Sequence, residues 1–305
     1  MLPKTLSRCF TAVARALPLL PPCGLLLAVP SAALVRRLST PSAHDAETGI
    51  SQLQSETREH LQSQDFASAL ASALACLEAT DSHFGRRHAA SACALNNVGQ
   101  VHRQLGQLAD ALPFLEDAVE VYTQVCGREH ASTGQALSNL GLLHAALAQR
   151  ASGVARLESV EAAHSLLQQA LACKRAAFGA GHVQVGVALY QLATAARLQK
   201  RYSVAEGLLG EALALLRAAE APSGGLATAT ALNNLGLLCK ERGLFEQAAG
   251  HYREALQLRL ARLGQRHPDT LTAMHNLAEC IRAGGDEEGA QSLQRDILKI
   301  MQVDK

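Results

Sequence analysis

The chain has 305 residues, of which 48% are hydrophobic, 18% are charged and only 3% are aromatic. Alanine and leucine dominate and tryptophan is absent, a composition typical of an all-α fold and not of a β-propeller. The formal net charge is +1, but residues 1–44 contain five basic residues and no acid, so the remainder carries −4. A slightly acidic body argues against a nucleic-acid-binding role that depends on phosphate attraction.

The first 39 residues have the composition of a targeting segment. They place Lys4, Arg8 and Arg15 among apolar residues at helical spacing, and they include no acid. These features are typical of a mitochondrial transit peptide. The run 36–39 (Arg-Arg-Leu-Ser) is similar to a matrix-processing site with cleavage near Ser39. We therefore expect a transit peptide over residues 1–39, a linker over 40–49 and a mitochondrial protein.

A secretory signal is the alternative for the same segment, with Leu17–Val29 as its apolar core. Four prolines in and beside that stretch make it a poor helix, and it is too short to span a bilayer.

From residue 50 onward, a six-residue motif returns at a fixed interval. It begins with alanine and a large apolar residue, continues with Asn-Asn, Ser-Asn or His-Asn, and ends in glycine or alanine, at residues 94–99, 136–141, 231–236 and 273–278. The step from Leu95 to Leu137 is 42 residues, and the step from Leu232 to Met274 is the same. A fixed period of this size predicts a solenoid, in which each unit buries its apolar face against its neighbours.

Weaker copies of the motif complete the series. Leu189–Ala193 lies 52 residues after Leu137, and Gln52–Thr57 is a degenerate first copy. The sequence therefore predicts six units, near residues 50–91, 92–133, 134–185, 186–228, 229–270 and 271–305. The ten extra residues of the third unit fall in Gln149–Val160, where we expect a longer turn that projects from one edge of the stack.

Each unit is expected to form two amphipathic helices. In the second unit, apolar residues at helical spacing predict helices over Ser91–Leu105 and Leu108–Cys126. Small residues mark the places where helices must approach closely. Gly99 of the first helix is followed after 12 residues by Ala111 and after 19 by Ala118, and later units keep this pattern.

A period near 42 also suits HEAT and armadillo helices, but the small-residue pattern resembles the tetratricopeptide repeat in a form with an extended linker. The units are most similar to the kinesin-light-chain type, which ends in Gly-x-x-His-Pro-Asp. Residues 264–269 match that ending in full, whereas Gly85–His88, Gly127–His130 and Gly179–His182 match it in part and Ala221–Gly225 has lost it. The resemblance implies a right-handed α-solenoid of about six helix-turn-helix units that binds proteins without catalysis or a cofactor.

One row of amides recurs two residues before the small residue of the first helix. In related repeats this position lines a concave groove, and an amide can both donate to and accept from the backbone of an extended peptide. The row is predicted to bind a partner or, alternatively, to fix the stacking of the repeats; its members are Asn97, Asn139, Gln191, Asn234 and Asn276.

A second row is basic and lies about 120° around the helix from the amides. It consists of Arg103, Arg197, Lys240 and Arg282. A basic margin of this kind favours an acidic segment or a free carboxylate, because arginine binds carboxylates through two hydrogen bonds. The alternative interpretation is a solvated charged face without a ligand.

The histidines and cysteines have simpler interpretations than metal or redox chemistry. His60, His102 and His144 recur on the face that should pack against the second helix, and successive helices are too far apart for them to share one ion. The linker residues His88, His130, His182 and His267 are expected to be turn and cap residues, and Asp269 is expected to be an N-cap. The cysteines show no paired spacing, so we expect reduced packing residues rather than a zinc site or a disulfide framework.

The sequence contains no phosphate-cradling glycine loop, zinc-protease motif or nucleophile elbow. We therefore expect a non-catalytic scaffold that binds an extended peptide or partner protein, as an assembly or quality-control adaptor in mitochondria. The first alternative is a cytosolic cargo adaptor of the kinesin-light-chain type. A helical-repeat RNA binder and a cryptic enzyme are further alternatives, and the oligomeric state is left open.

Overall fold

The computed structural model describes residues 43–220 and 225–302, which form α-helices joined by short turns. Within these ranges twelve helices follow one another without a strand: α1 (Ala43–Gln62), α2 (Phe66–Phe84), α3 (Ala89–Gln104), α4 (Leu108–Cys126), α5 (Ala131–Arg150), α6 (Gly153–Phe178), α7 (Val183–Leu198), α8 (Tyr202–Glu220), α9 (Leu226–Glu241), α10 (Phe245–Leu263), α11 (Pro268–Ala283) and α12 (Glu287–Gln302). They make six consecutive pairs, numbered 1 to 6.

Two sequence-based expectations concern the N-terminal region. The expected transit peptide, residues 1–39, lies outside the described residues and stays a prediction. Helix α1 begins at Ala43, so most of the segment 40–49 is helical and is not the linker that we expected. None of the described helices has the length and apolar character needed to cross a membrane.

Packing between helices follows their order in the chain. From α2 onward, each helix packs mainly on its neighbours in the chain, and successive first helices also touch each other in the pairs α3/α5, α5/α7 and α7/α9. Successive second helices make no contact of comparable extent in the described residues. The first helices therefore form the closely spaced inner side of the stack and the second helices form its outer side, which confirms the predicted solenoid.

Within a pair, the two helices meet at the small residues that the sequence repeats. A methyl group added to Gly99 would lie 2.6 Å from Leu115 Cγ, and one added to Gly141 would lie 2.7 Å from Leu167 Cγ. The alanines of both predicted rows on the second helices are fully buried: Ala111, Ala118, Ala163, Ala170, Ala205, Ala212, Ala248, Ala255 and Ala290. The small-residue pattern is thus confirmed as the contact surface between helices.

The ten extra residues of the third pair do not lengthen a turn, as we had expected for Gln149–Val160. They extend α5 to 20 residues and α6 to 26, compared with 16 and 19 in the second pair, and only two residues separate the helices. The additions are close to one turn and two turns of helix, so the apolar faces stay in register. Helical extension also satisfies the backbone hydrogen bonds that a loop would leave to solvent.

The linkers between pairs are closed by glycine and histidine. Gly85, Gly127, Gly179 and Gly264 end second helices with φ of 80°, 92°, 81° and 80°, a region that favours glycine. Three residues later, a histidine Nδ1 accepts a hydrogen bond from the backbone N–H two residues on, at 3.1–3.2 Å, in His88, His130, His182 and His267. The histidines are N-caps, as expected.

The expectation that Asp269 caps α11 was wrong. His267 is the N-cap, Pro268 opens the helix, and Asp269 supplies the N–H that His267 accepts. The linker that leads into pair 5 has no histidine cap, because the N-cap of α9 is Gly225, which has no side chain.

One buried cation departs from the apolar core. Lys174 in α6 is 1% exposed, and its Nζ has no hydrogen-bond partner within the described residues. Burial lowers the pKa of this ammonium group to about 8, because a low-dielectric interior disfavours the charged form. The corresponding residues of pairs 2 and 4, four positions after the buried alanine, are Tyr122 and Leu216. In pair 5 this position is Arg259, whose Nη1 donates to the carbonyl of Asp269 at 2.9 Å, whereas Lys174 Nζ has no such partner in the described residues. An apolar side chain therefore suits position 174.

We expect Lys174→Met to raise the free energy of unfolding, by up to roughly 3 kcal/mol at neutral pH. In the wild type, the burial of charged Lys174 lowers the free energy of unfolding by its full amount below about pH 8, because the ammonium group is protonated in both the folded and the unfolded state. This destabilisation decreases between about pH 8 and 10.5, where only the unfolded state keeps the Lys174 proton. Urea titrations of both proteins between pH 7 and 10 check this. Lys299→Met, which replaces an exposed lysine, is the control. If the stabilisation by Lys174→Met does not decrease as the pH rises, the burial of a charged lysine is not its cause.

Candidate inner-face binding site

The inner side of the stack presents a surface that is uncharged at its centre. Half-buried or exposed side chains stand seven residues apart on the central first helices: Gln135 and Leu142 on α5, Val187 and Thr194 on α7, and Thr230 and Leu237 on α9. We call this surface the inner face. Its mixture of amide, hydroxyl and aliphatic groups suits an extended chain with uncharged side chains.

Two members of the predicted amide row bridge successive first helices. Asn139 Nδ2 donates to Asn96 Oδ1 at 2.9 Å, and Asn276 Nδ2 donates to Asn233 Oδ1 at the same distance. Asn139 is only 4% exposed. These two amides therefore hold pair 2 to pair 3 and pair 5 to pair 6, which is the stacking role that the sequence analysis kept as an alternative.

The acceptors Asn96 and Asn233 were missed by the sequence analysis. The available signal was the first asparagine of the repeated Asn-Asn dipeptide, which lies one residue before the predicted row. Each bridge joins residues 43 apart, so the first asparagine of an Asn-Asn dipeptide meets the single asparagine of the Ser-Asn or His-Asn dipeptide in the next unit.

The other three amides of the row take no part in such a bridge. Asn97 is half-buried, with Nδ2 4.0 Å from Cys93 Sγ. Gln191 is 8% exposed and its Oε1 has no hydrogen-bond partner within the described residues. Asn234 is half-buried. The amide row therefore contains two classes: Asn139 and Asn276 bond to a neighbouring repeat, whereas Asn97, Gln191 and Asn234 form no hydrogen bond to a neighbouring repeat in the described residues.

Most of the predicted basic row is neutralised by nearby carboxylates. Arg197 on α7 is 12% exposed and pairs with Glu241 on α9, and Lys240 Nζ lies 2.9 Å from Glu279 Oε2 on α11. The hydrogen bond from Lys240, together with its charge, holds the pKa of Glu279 below its usual value. These pairs join successive first helices. Because Arg197 and Lys240 already pair with glutamates of the same chain, the expected preference for an acidic partner has no support at these two residues.

The two ends of the basic row differ from its middle. Arg282 Nε lies 3.5 Å from Glu287 Oε2 within pair 6. Arg103 has no acidic partner among the described residues; its Nε is buried without a hydrogen bond, and burial lowers the pKa of the guanidinium. Arg150, on the extra turn of α5, donates to the carbonyl of Gly106 at 2.8 Å just beyond Arg103. Arg103 is therefore the one member of the row without a carboxylate in the described part of the chain.

The family of the chain follows from comparison with known proteins. The tetratricopeptide repeat profile matches residues 60–124, 90–159 and 227–302, which together exceed half of the chain. The chain belongs to the tetratricopeptide repeat family. No curated protein sequence matches it significantly.

Solved structures with a similar fold agree with this assignment. A putative kinesin light chain of Podosopora anserina with nearly identical TPR-like repeats is 21% identical, with a TM-score of 0.52 over 70% of this chain and 96% of its own. BtubC (BKLC) of P. vanneervenii is 18% identical, with a TM-score of 0.56 over 84% of this chain and 91% of its own. At these identities the likeness shows the fold alone, and it confirms the resemblance to kinesin-light-chain repeats at that level.

The histidines of the tetratricopeptide helices occupy packing positions. The His102 ring stacks on Phe114 of α4, with centroids 5.6 Å apart, and its Nδ1 lies 2.8 Å from Gln107 Oε1. His144 Nδ1 is buried without a hydrogen bond, and burial lowers the pKa of that ring. His60 is half-buried in α1. The described residues contain no cluster of three or more His, Cys, Asp or Glu that could hold a metal ion.

The cysteines of the described repeats are all reduced, and most lie in the core. Cys76, Cys173, Cys239 and Cys280 are buried, whereas Cys93 and Cys126 are half-buried. Burial raises the pKa of the four buried thiols, for Cys76 to about 11. A thiol held protonated in this way is a poor nucleophile, so these four residues act in packing.

The two classes of amide are distinguishable by stability. Asn139→Ala removes the donor of a bridge and leaves Asn96 Oδ1 buried without that partner, so we expect a loss of about 1–3 kcal/mol in the free energy of unfolding. Asn234→Ala removes no bridge and should change it by less than about 0.5 kcal/mol. Urea titration followed by circular dichroism measures both. Equal losses in the two variants contradict the division of the row.

Proposed function

We propose that the protein is a non-catalytic scaffold that binds an extended segment of a partner protein on its inner face. The observation that carries this proposal is the set of amides outside the stacking bridges, Asn97, Gln191 and Asn234, on the first helices that form the inner side of the stack. Such amides can pair with the main chain of a bound segment irrespective of its side chains. The tetratricopeptide fold supports the same conclusion, because stacked helical repeats create extended binding surfaces.

At the pair 2 end of the inner face, Arg103 adds a point of charge recognition. Its guanidinium is partly desolvated and has no acidic partner in the described residues. A carboxylate of the partner, from an acidic side chain or a free C terminus, would compensate for the lost hydration of the Arg103 guanidinium through two hydrogen bonds. We therefore confine the acidic preference of the partner to this one position.

For the biological setting, we propose an assembly or quality-control adaptor in mitochondria. The support is the basic, acid-free composition of residues 1–39. The second candidate is a cytosolic cargo adaptor, supported by the complete Gly-x-x-His-Pro-Asp ending at residues 264–269, which is typical of kinesin-light-chain repeats. An RNA-binding role is disfavoured by the acidic body of the chain.

The test is proximity labelling with the full-length chain, compared with a chain that lacks residues 1–39. We expect mitochondrial proteins to be labelled by the full-length chain only. Cytosolic or cytoskeletal neighbours that are unaffected by the truncation would contradict the mitochondrial setting and favour the cargo adaptor.

A full-length chain with Asn97→Ala and Asn234→Ala tests the inner face in the same experiment. The labelled partners should be lost while the compartment stays the same. The control is Gln124→Ala, which truncates an exposed amide on the outer helix α4 and should leave the labelled partners unchanged. If the Gln124→Ala control loses the partners and the double variant keeps them, the partners do not bind at the inner face.

A further inference from the structure

The junctions between successive pairs are closed in different ways on the inner side. A side-chain amide bridge closes the junction of pairs 2 and 3, through Asn139 and Asn96, and the junction of pairs 5 and 6, through Asn276 and Asn233. Each bridge combines one N–H donor and one carbonyl acceptor. The same two positions are present at the junction of pairs 3 and 4, but the residues that fill them are different.

At the junction of pairs 3 and 4 the bridge is missing. Ser138 holds the acceptor position on α5, 42 residues after Asn96, and Gln191 holds the donor position on α7. Ser138 is 0% exposed and Gln191 is 8% exposed, and Ser138 Oγ and Gln191 Oε1 are both buried without a hydrogen-bond partner in the described residues. Serine lacks the amide that reaches across in the other two junctions.

Two unpaired polar groups make this inner contact costly to keep closed. A buried polar atom without a partner costs about 1–3 kcal/mol. On the outer side, the same junction is joined by an ion pair between α6 and α8, with Arg175 Nη2 2.9 Å from Glu211 Oε1. Partner groups that bond to both Ser138 Oγ and Gln191 Oε1 would offset this cost.

A peptide group has the chemistry that the junction lacks. It offers an N–H donor and a carbonyl acceptor, as does the side chain of asparagine. The exposed or half-buried residues on either side, Leu142, Val187 and Thr194, are uncharged. A segment bound here would therefore meet no fixed charge that demands a counterion.

We propose that the main chain of an extended, uncharged partner segment inserts between α5 and α7 and replaces the missing amide bridge. Its N–H donates to Gln191 Oε1, and its carbonyl accepts from Ser138 Oγ. This assignment rests on the proposed binding of a protein segment at the inner face, and it places the centre of that binding at the junction of pairs 3 and 4.

The test uses random peptides of about twelve residues, which span about 40 Å when extended, displayed on phage and selected on the purified wild-type chain. Selected peptides are synthesised with amidated C termini, so that no free carboxylate contributes, and their affinities are measured by fluorescence polarisation. In the bridged variant, Ser138→Asn with Gln191→Asn, an amide pair closes the junction. We expect it to bind these peptides about tenfold more weakly, as for the loss of one or two hydrogen bonds.

The matched control moves the same chemistry elsewhere. Ser165→Asn with Gln169→Asn makes the same two substitutions at an exposed pair on the outer helix α6, where Gln169 Nε2 donates to Ser165 Oγ at 3.3 Å, and peptide affinity should stay within about twofold of wild type. Peptides that bind the wild type and the bridged variant equally overturn this inference but leave the proposed function standing. Failure to select any peptide that the wild type binds overturns both.

A second measurement does not depend on the folding of the bridged variant. A selected peptide that carries a photoreactive benzophenone is cross-linked to the wild-type chain, and the attachment sites are mapped by mass spectrometry. Cross-links within residues 135–142 and 187–194 support the inference. Cross-links confined to other helices overturn it.

Discussion

The architecture depends on the close approach of the two helices in each pair, which side chains larger than glycine or alanine would prevent. Leu115 occupies the space that a Cβ on Gly99 would need, and Leu167 does the same for Gly141. Because this contact leaves each pair with apolar surface on two sides, a pair is stable only between neighbours. The stack, its inner face and the rows of equivalent residues all follow from that constraint.

The inner face shows how stacking and binding compete for the same side chains. Equivalent positions in successive repeats carry amides, but two of these amides already bond to the neighbouring repeat through Asn96 and Asn233. Arg197 and Lys240 are likewise used between repeats. The groups that remain for a partner are therefore fewer than the repeat pattern indicates. They are Gln191 and Asn234 toward the centre of the stack, and Asn97 and Arg103 on α3.

The sequence was sufficient to predict the fold, because the small-residue rows and the 42-residue period are direct consequences of helix packing. The histidine caps were also predictable from their spacing after glycine. The ion pairs between residues of different repeats could not be predicted from the sequence. Glu241 and Glu279 neutralise cations 44 and 39 residues away, and nothing local to Arg197 or Lys240 signals this. The place of the ten extra residues is not predictable either, because helical extension of α5 and α6 leaves no break in the apolar periodicity.

Amide hydrogen exchange of the unliganded chain, resolved along the sequence by mass spectrometry, tests the central claim that the inner contacts are unequal. Helices α3 and α7 have the same length and both lie inside the stack, but only α3 takes part in an amide bridge. We expect faster exchange in residues 187–194 of α7 than in residues 93–100 of α3. Equal or slower exchange in α7 would contradict that claim.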